Sequence, residues 1–120
     1  MPKRQWPIGL ISKRLKEVAQ IIWTEPALSD LNEIAEYIAL DNLDAAARLV
    51  KEVFSAVERL EKHPKSGRIP PELEKKARYR EIIIGPCRVF YRLDSDKVYI
   101  LYVMRSEQAL RVFLLKDRAK

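Results

Sequence analysis

The chain has 120 residues, 48% of them apolar and 33% charged, and a net charge of +6. That length and balance fit one globular domain and exclude disordered and fibrous classes. No apolar run approaches the ~18 residues that span a bilayer, so no membrane role is expected. The single cysteine, Cys87, allows no internal disulfide and suits a reducing, cytoplasmic setting.

The counts also limit the chemistry. One cysteine and one histidine, His63, do not make an ordinary zinc site. Gly9, Gly67 and Gly85 lie too far apart for a phosphate-cradling loop. Neither a metal nor a cofactor is expected. The charge is uneven: residues 1–20 carry net +4, residues 21–76 net −3 and residues 77–105 net +3. A basic total alone says little about partners; the contrast between an acidic middle and a basic later part says more.

Residues 1–19 read as a basic, poorly ordered extension. Pro2, Pro7 and Gly9 interrupt its start, and the stripe Leu10, Ile11, Leu15 and Val18 is too short to hold a helix alone. The domain proper is placed at 20–120. Gln20 to Thr24 is short, apolar and β-branched, which predicts a strand. Thr24 can cap a helix that carries Pro26 in its first turn. Ala27, Leu31, Ile34 and Ile38 form its apolar stripe, with Asp30, Glu33 and Glu36 on the wet side. After a break at residues 41–44, a second helix is predicted over Asp44–Lys62. Its stripe is Ala46, Leu49, Val50, Val53, Phe54, Val57 and Leu60, and Pro64 stops it. So short a link makes the two helices an antiparallel hairpin.

Residues 63–76 hold three prolines and a glycine and predict a loop. Strands follow at Tyr79–Ile84, Cys87–Leu93 and Val98–Met104, joined by tight turns into an antiparallel meander. Residues 106–115 suit a short helix capped by Ser106, although Val112–Leu115 also has strand character. The fold class is therefore α+β: an N-terminal strand and a helical hairpin packed on an antiparallel sheet.

Period-two alternation puts Cys87, Val89, Tyr91 and Leu93 toward the hairpin and Arg88, Phe90 and Arg92 on the open face. In the last strand it puts Val98, Ile100, Tyr102 and Met104 on one side and Tyr99, Leu101 and Val103 on the other. Both sides are apolar, as expected for a central strand covered twice. Arg80, Arg88, Arg92 and Arg105, with Phe90, are candidates for a basic target-binding face. Ion pairs to Glu81 or Asp94 would give the same pattern without a function. Leu101, Val103, Leu110, Phe113 and Leu114 are candidates for apolar surface that a partner covers.

The order of these pieces resembles the RelE/ParE superfamily of bacterial toxins. Trp23-Thr24-Glu25-Pro26-Ala27 leading into Leu31–Ile38 is similar to the family's first strand and helix. His63-Pro64-Lys65-Ser66-Gly67-Arg68 is similar to its Pro-x-x-Gly-Arg loop. Arg80 followed by Arg88-Val89-Phe90-Tyr91-Arg92 is similar to its sheet motif. The resemblance covers residues 20–108. It implies the toxin of a type II toxin–antitoxin pair, neutralised by a cognate antitoxin protein, as a homodimer or a heterotetramer with it. The long hairpin resembles the ParE branch, which implies inhibition of DNA gyrase. The alternatives are a RelE-like endonuclease acting on mRNA at the ribosome, and a degenerate, non-toxic interaction module. Where many relatives carry a histidine, this chain has Met104-Arg105-Ser106-Glu107. RNA cleavage needs proton carriers, and arginine is a poor one at neutral pH. That departure favours binding over cleavage, and no catalytic residue is assigned.

Overall fold

The structure is a computed structural model that describes residues 18–73, 78–106 and Arg118. Strand β1 (Gln20–Trp23) leads into helix α1 (Glu25–Ala39) and helix α2 (Leu43–Glu58). A 3-10 turn (Arg59–Glu61) then precedes strands β2 (Tyr79–Ile84), β3 (Cys87–Asp94) and β4 (Lys97–Arg105). The sheet order is β1-β4-β3-β2, with β1 parallel to β4 and the other pairs antiparallel. The expected α+β architecture is therefore present, and β4 is central. The extension of residues 1–17 and most of the ambiguous 106–115 segment lie outside the described residues. Ala19 belongs to the domain, because it is buried and donates its N–H to the Glu61 carbonyl at 2.8 Å.

Local chemistry sets the helix ends. The Thr24 hydroxyl accepts from the Ala27 N–H and donates to the Ile100 carbonyl at 2.7 Å, tying the start of α1 to the sheet. Asn42 caps α2 through the Ala45 N–H at 3.0 Å. Helix α2 ends at Glu58, earlier than the sequence suggests, and the remaining turn tightens to 3-10 geometry, as helix ends often do. Its stripe of Leu49, Val53 and Val57 packs with Ala27 and Leu31 of α1 on one sheet face, against Cys87, Val89, Tyr91, Val98, Ile100 and Val103. Burying each Val or Leu of this stripe contributes about 1.5–3 kcal/mol. Both tight turns place a left-handed residue at their first central position, Gly85 and Ser95.

The expected strict alternation fails in β4. Phe90 pairs with Tyr102 but Tyr91 pairs with Ile100, so Leu101 is an extra residue, a β-bulge. The bulge resets the phase. Tyr102 and Met104 join Leu101 and Tyr99 on the second face, around Phe90, while Val103 returns to the helix-side core. The bulge leaves the Val103 N–H off the ladder, and the Asp30 carboxylate accepts it at 3.0 Å. Asp30 is thus a structural ligand of the sheet, although its helical position predicts solvent.

The loop after α2 is anchored on Tyr91. This side chain is fully buried; its hydroxyl donates to the Pro64 carbonyl at 2.7 Å and accepts from the Gly67 N–H at 3.0 Å. Arg68 adds a one-residue antiparallel bridge to Glu81 on the free edge of β2. A Cβ at Gly67 would lie 2.6 Å from the Tyr91 hydroxyl and 2.7 Å from the Glu81 carbonyl. The carbonyl is backbone and has little freedom to give way. Replacing Gly67 with alanine should cost about 1–3 kcal/mol, read as a fall of several degrees in the thermal midpoint. Burial pushes the Tyr91 hydroxyl pKa up, with the Gly67 N–H opposing it. A folded-state value above the unfolded one means stability that is present below about pH 10 and lost as pH rises through the folded value. Denaturant titrations above pH 9 should therefore show a shallower loss in Tyr91→Phe than in the wild type.

Candidate functional site

The sheet arginines do not share one open face. Arg88 and Arg92 lie on the second face, with Glu81 and Tyr79. Arg80 and Arg105 stand opposite the helix-side residues Tyr91 and Cys87 in the ladder. Arg105 lies over the ring of Tyr37 on α1 at 5.5 Å, and Tyr37, outside the apolar stripe of that helix, is well exposed. Arg80 donates to the loop carbonyls of Gly67 at 2.8 Å and Lys65 at 3.3 Å.

Arg88 is the largest departure from the expected open face. It is 6% exposed, and Phe90 beneath it is fully buried. Its Nε donates to Glu81 at 2.7 Å, and its two terminal nitrogens donate to Glu72 at 2.9 and 2.8 Å. Its guanidinium carbon lies 4.9 Å from the centre of the Phe90 ring. The hydrogen bond to Glu72 is the strongest influence holding Arg88 charged well above its ordinary range; Glu81 adds to it against the cost of burial. Glu81 also accepts from Arg68 Nε at 2.9 Å. Two carboxylates and two guanidiniums thus form one network that fastens the proline–glycine loop to β2 and β3. A side chain held this way is built into the fold and is a poor choice for gripping a target.

Arg92 stacks over Tyr99 at 5.1 Å, with Asp94 3.7 Å away. Its side chain is largely buried, 16% exposed, while Arg105 is half-buried; each guanidinium is carried on an aromatic ring. Among the candidates for partner-covered surface, Leu101 is 1% and Val103 2% exposed. The bulge and the helix-side core have taken them up, so neither presents surface. Leu110, Phe113 and Leu114 lie outside the described residues. Arg118 ion-pairs with Asp30, donates to the Leu101 carbonyl at 3.2 Å and covers the Tyr102 ring at 3.9 Å.

Sequence reasoning missed Glu72, Arg68 and Asp30 as polar organisers. The excess of acid in residues 21–76 beside a basic sheet was the available signal, but the partners are 7–16 residues apart for Arg88 and 73 for Asp30 with Val103. Cys87 is a buried core residue, as its strand position suggests. Among the described residues, no group of three or more His, Cys, Asp or Glu is placed to hold a metal ion. No helix among them is long and apolar enough to cross a membrane.

Comparison with known proteins places this arrangement. The family model of the ParE toxin of type II toxin–antitoxin systems matches residues 21–110. A putative toxin, Y4kP, of Sinorhizobium fredii is 41% identical over 91 residues, covering 74% of this chain and 90% of that protein. Toxin RelE2 of Caulobacter vibrioides is 30% identical over 95 residues, covering 79% of this chain and 100% of that protein. The fold also matches a chain of a chromosomal ParDE system from P. aeruginosa, with a TM-score of 0.61 at 21% identity, covering 74% of this chain and 97% of that one. A chain of the RelBE2 toxin–antitoxin complex from Mycobacterium tuberculosis matches with a TM-score of 0.50 at 24% identity, over 73% and 98%. With three quarters of its length matched by the family model and relatives covered nearly end to end, the chain belongs to the ParE toxin family of type II toxin–antitoxin systems.

Proposed function

We propose that this protein is a toxin that acts by binding its target, DNA gyrase, rather than by cutting RNA, and that a cognate antitoxin neutralises it. The observation that carries this reading is the commitment of the sheet's polar groups to structure. Phosphoryl transfer needs one group to take a proton from the attacking oxygen and another to give one to the leaving oxygen. Arg88 is locked between Glu81 and Glu72. The Tyr91 hydroxyl bridges two loop backbone groups, and its raised pKa makes it a weaker acid. His63, the single histidine, is exposed in the loop after α2 and not on the sheet. Among the described residues, the part-buried Arg92 and Arg105 can hold negative charge but are ill suited to moving protons.

The antitoxin reading is supported by the family and by the two toxin–antitoxin assemblies whose chains share the fold. Co-expression with a small adjacent reading frame should yield a stable complex and relieve growth arrest.

The target reading divides the arginines by role. Replacing Arg92 and Arg105 together with alanine should weaken growth inhibition at least tenfold, with a smaller fall in thermal midpoint than Arg88→Ala causes. Arg88→Ala should instead lower the midpoint markedly, because it leaves the buried Glu81 carboxylate with Arg68 alone to balance it, at a cost of up to about 3–5 kcal/mol. Induction of the wild type should raise DNA-damage signalling, while translation in a cell-free extract continues. Cleavage of mRNA on ribosomes by the purified protein would overturn the reading and turn attention to Arg105 with a neighbouring tyrosine.

A further inference from the structure

Strand β2 forms an edge of the sheet. Arg68 pairs with Glu81 on that edge through two backbone hydrogen bonds, at 2.8 and 3.0 Å. The period of two turns the Ile83 N–H to the same side, where it has no partner among the described residues. Between this edge and the end of α2 lies an open cleft of about 370 Å³, which is within the size range of small-molecule sites. Ala56, Leu60, Ile82 and Ile84 give it apolar walls, and Arg59, Ser66 and Arg68 line it with donors. Arg68 is held in place. Its Nε donates to Glu81 at 2.9 Å, which fixes the plane of the guanidinium. Its side chain is nevertheless 55% exposed, and its terminal nitrogens have no partner among the described residues. Arg59 and Ser66 are exposed, and neither side chain has a hydrogen-bond or ion-pair partner among those residues. Glu81 also reaches the cleft wall, but Arg88 balances its charge from the other side.

We propose that this cleft binds a phosphate monoester of nucleotide size. Charge is the first support. Residues 59–68 carry Arg59, Lys62, Lys65 and Arg68 against Glu61, a net +3, inside a stretch of residues 21–76 that is net −3. The cleft is thus a cationic island and not part of a general basic coat. Donor geometry is the second. A guanidinium fixed through Nε offers its two terminal nitrogens as a fork, the arrangement that suits phosphate oxygens. Arg59, the Ser66 hydroxyl and the Ile83 N–H add further donors. Together they exceed what the two oxygens of a carboxylate take up and suit the three of a phosphate monoester. The apolar walls are the third. They give the organic body of the ligand a surface to bury, which inorganic phosphate lacks. The site uses neither Arg92 nor Arg105, and it does not depend on the identity of the toxin's target.

NMR titration of the full-length chain with adenosine 5′-monophosphate, read at the Ser66 and Ile83 amides, tests this. Both signals should shift and saturate. Adenosine, which lacks the phosphate, should bind at least about tenfold more weakly, as the loss of charge-assisted hydrogen bonds requires. Arg59→Ala should weaken the monophosphate by about tenfold, and Ser66→Ala by less. Arg59 is the residue to replace, because Arg68 also holds Glu81 and its loss would disturb the fold. Lys97→Ala, at the start of β4, should leave the affinity unchanged. The absence of a saturable shift at these amides would overturn the proposal. So would equal affinity for adenosine, or an Arg59→Ala variant that binds as the wild type does. An equal loss in Lys97→Ala would reduce the effect to general charge and overturn it too. Tighter binding of a short DNA duplex than of the monophosphate, lost in Arg59→Ala, would assign the cleft to a phosphodiester backbone and contradict it as well.

Discussion

The buried carboxylate of Glu81 is the constraint on which the arrangement of the sheet depends. Its side chain is fully buried, and a carboxylate without water must be paired or lose its charge. Arg88 and Arg68 supply the pairing from opposite directions, one from the neighbouring strand and one from the proline–glycine loop. Glu72 completes the neutralisation by taking both outer nitrogens of Arg88. Removing one partner of such a set costs several kcal/mol, a large part of the 5–15 kcal/mol that a domain of this kind has in total. The loop therefore cannot lift from β2 without exposing an unpaired charge, and Arg88 cannot turn outward to meet another molecule.

The same reasoning accounts for the other side of the fold. The bulge at Leu101 takes one backbone N–H off the ladder, and Asp30 reaches across from α1 to accept it. Leaving such a group buried without a partner would cost about 1–3 kcal/mol, more than the hydrogen bond itself adds. Thr24 does similar work at the start of α1, capping the helix while bonding to the Ile100 carbonyl. The apolar core under the hairpin supplies the larger free energy. These polar ties decide where the helices and the loop sit relative to the strands.

Most of the architecture was legible in the sequence because it rests on local signals. Helical stripes, caps and turn residues lie within a few positions of one another, and the three-strand meander follows from two tight turns. What was not legible depends on contacts between distant positions. The bulge has no glycine or other local mark in Tyr99–Met104, so strict alternation runs straight through it and puts Tyr102, Val103 and Met104 on the wrong sides. The expectation of one open face carrying all four arginines departs from the structure for a related reason. Alternation gives the side of a strand correctly for Arg88, but not what covers that side, and Glu72 lies 16 residues away in a loop. The alternative reading of those arginines, ion pairs to Glu81 or Asp94, describes Arg88 and Arg92 better than an open cationic surface does.

The central claim is that Glu81 and Arg88 act as one buried unit that fixes the fold and not as separate surface charges. A double-mutant cycle on thermal and denaturant stability, using Glu81→Gln, Arg88→Met and the two combined, tests it most directly. The account predicts that each single replacement is strongly destabilising and that the pair together loses clearly less than the sum, with a coupling of about 1–3 kcal/mol. Additive losses within about 0.5 kcal/mol, or a mild Arg88→Met that leaves stability unchanged, would contradict it.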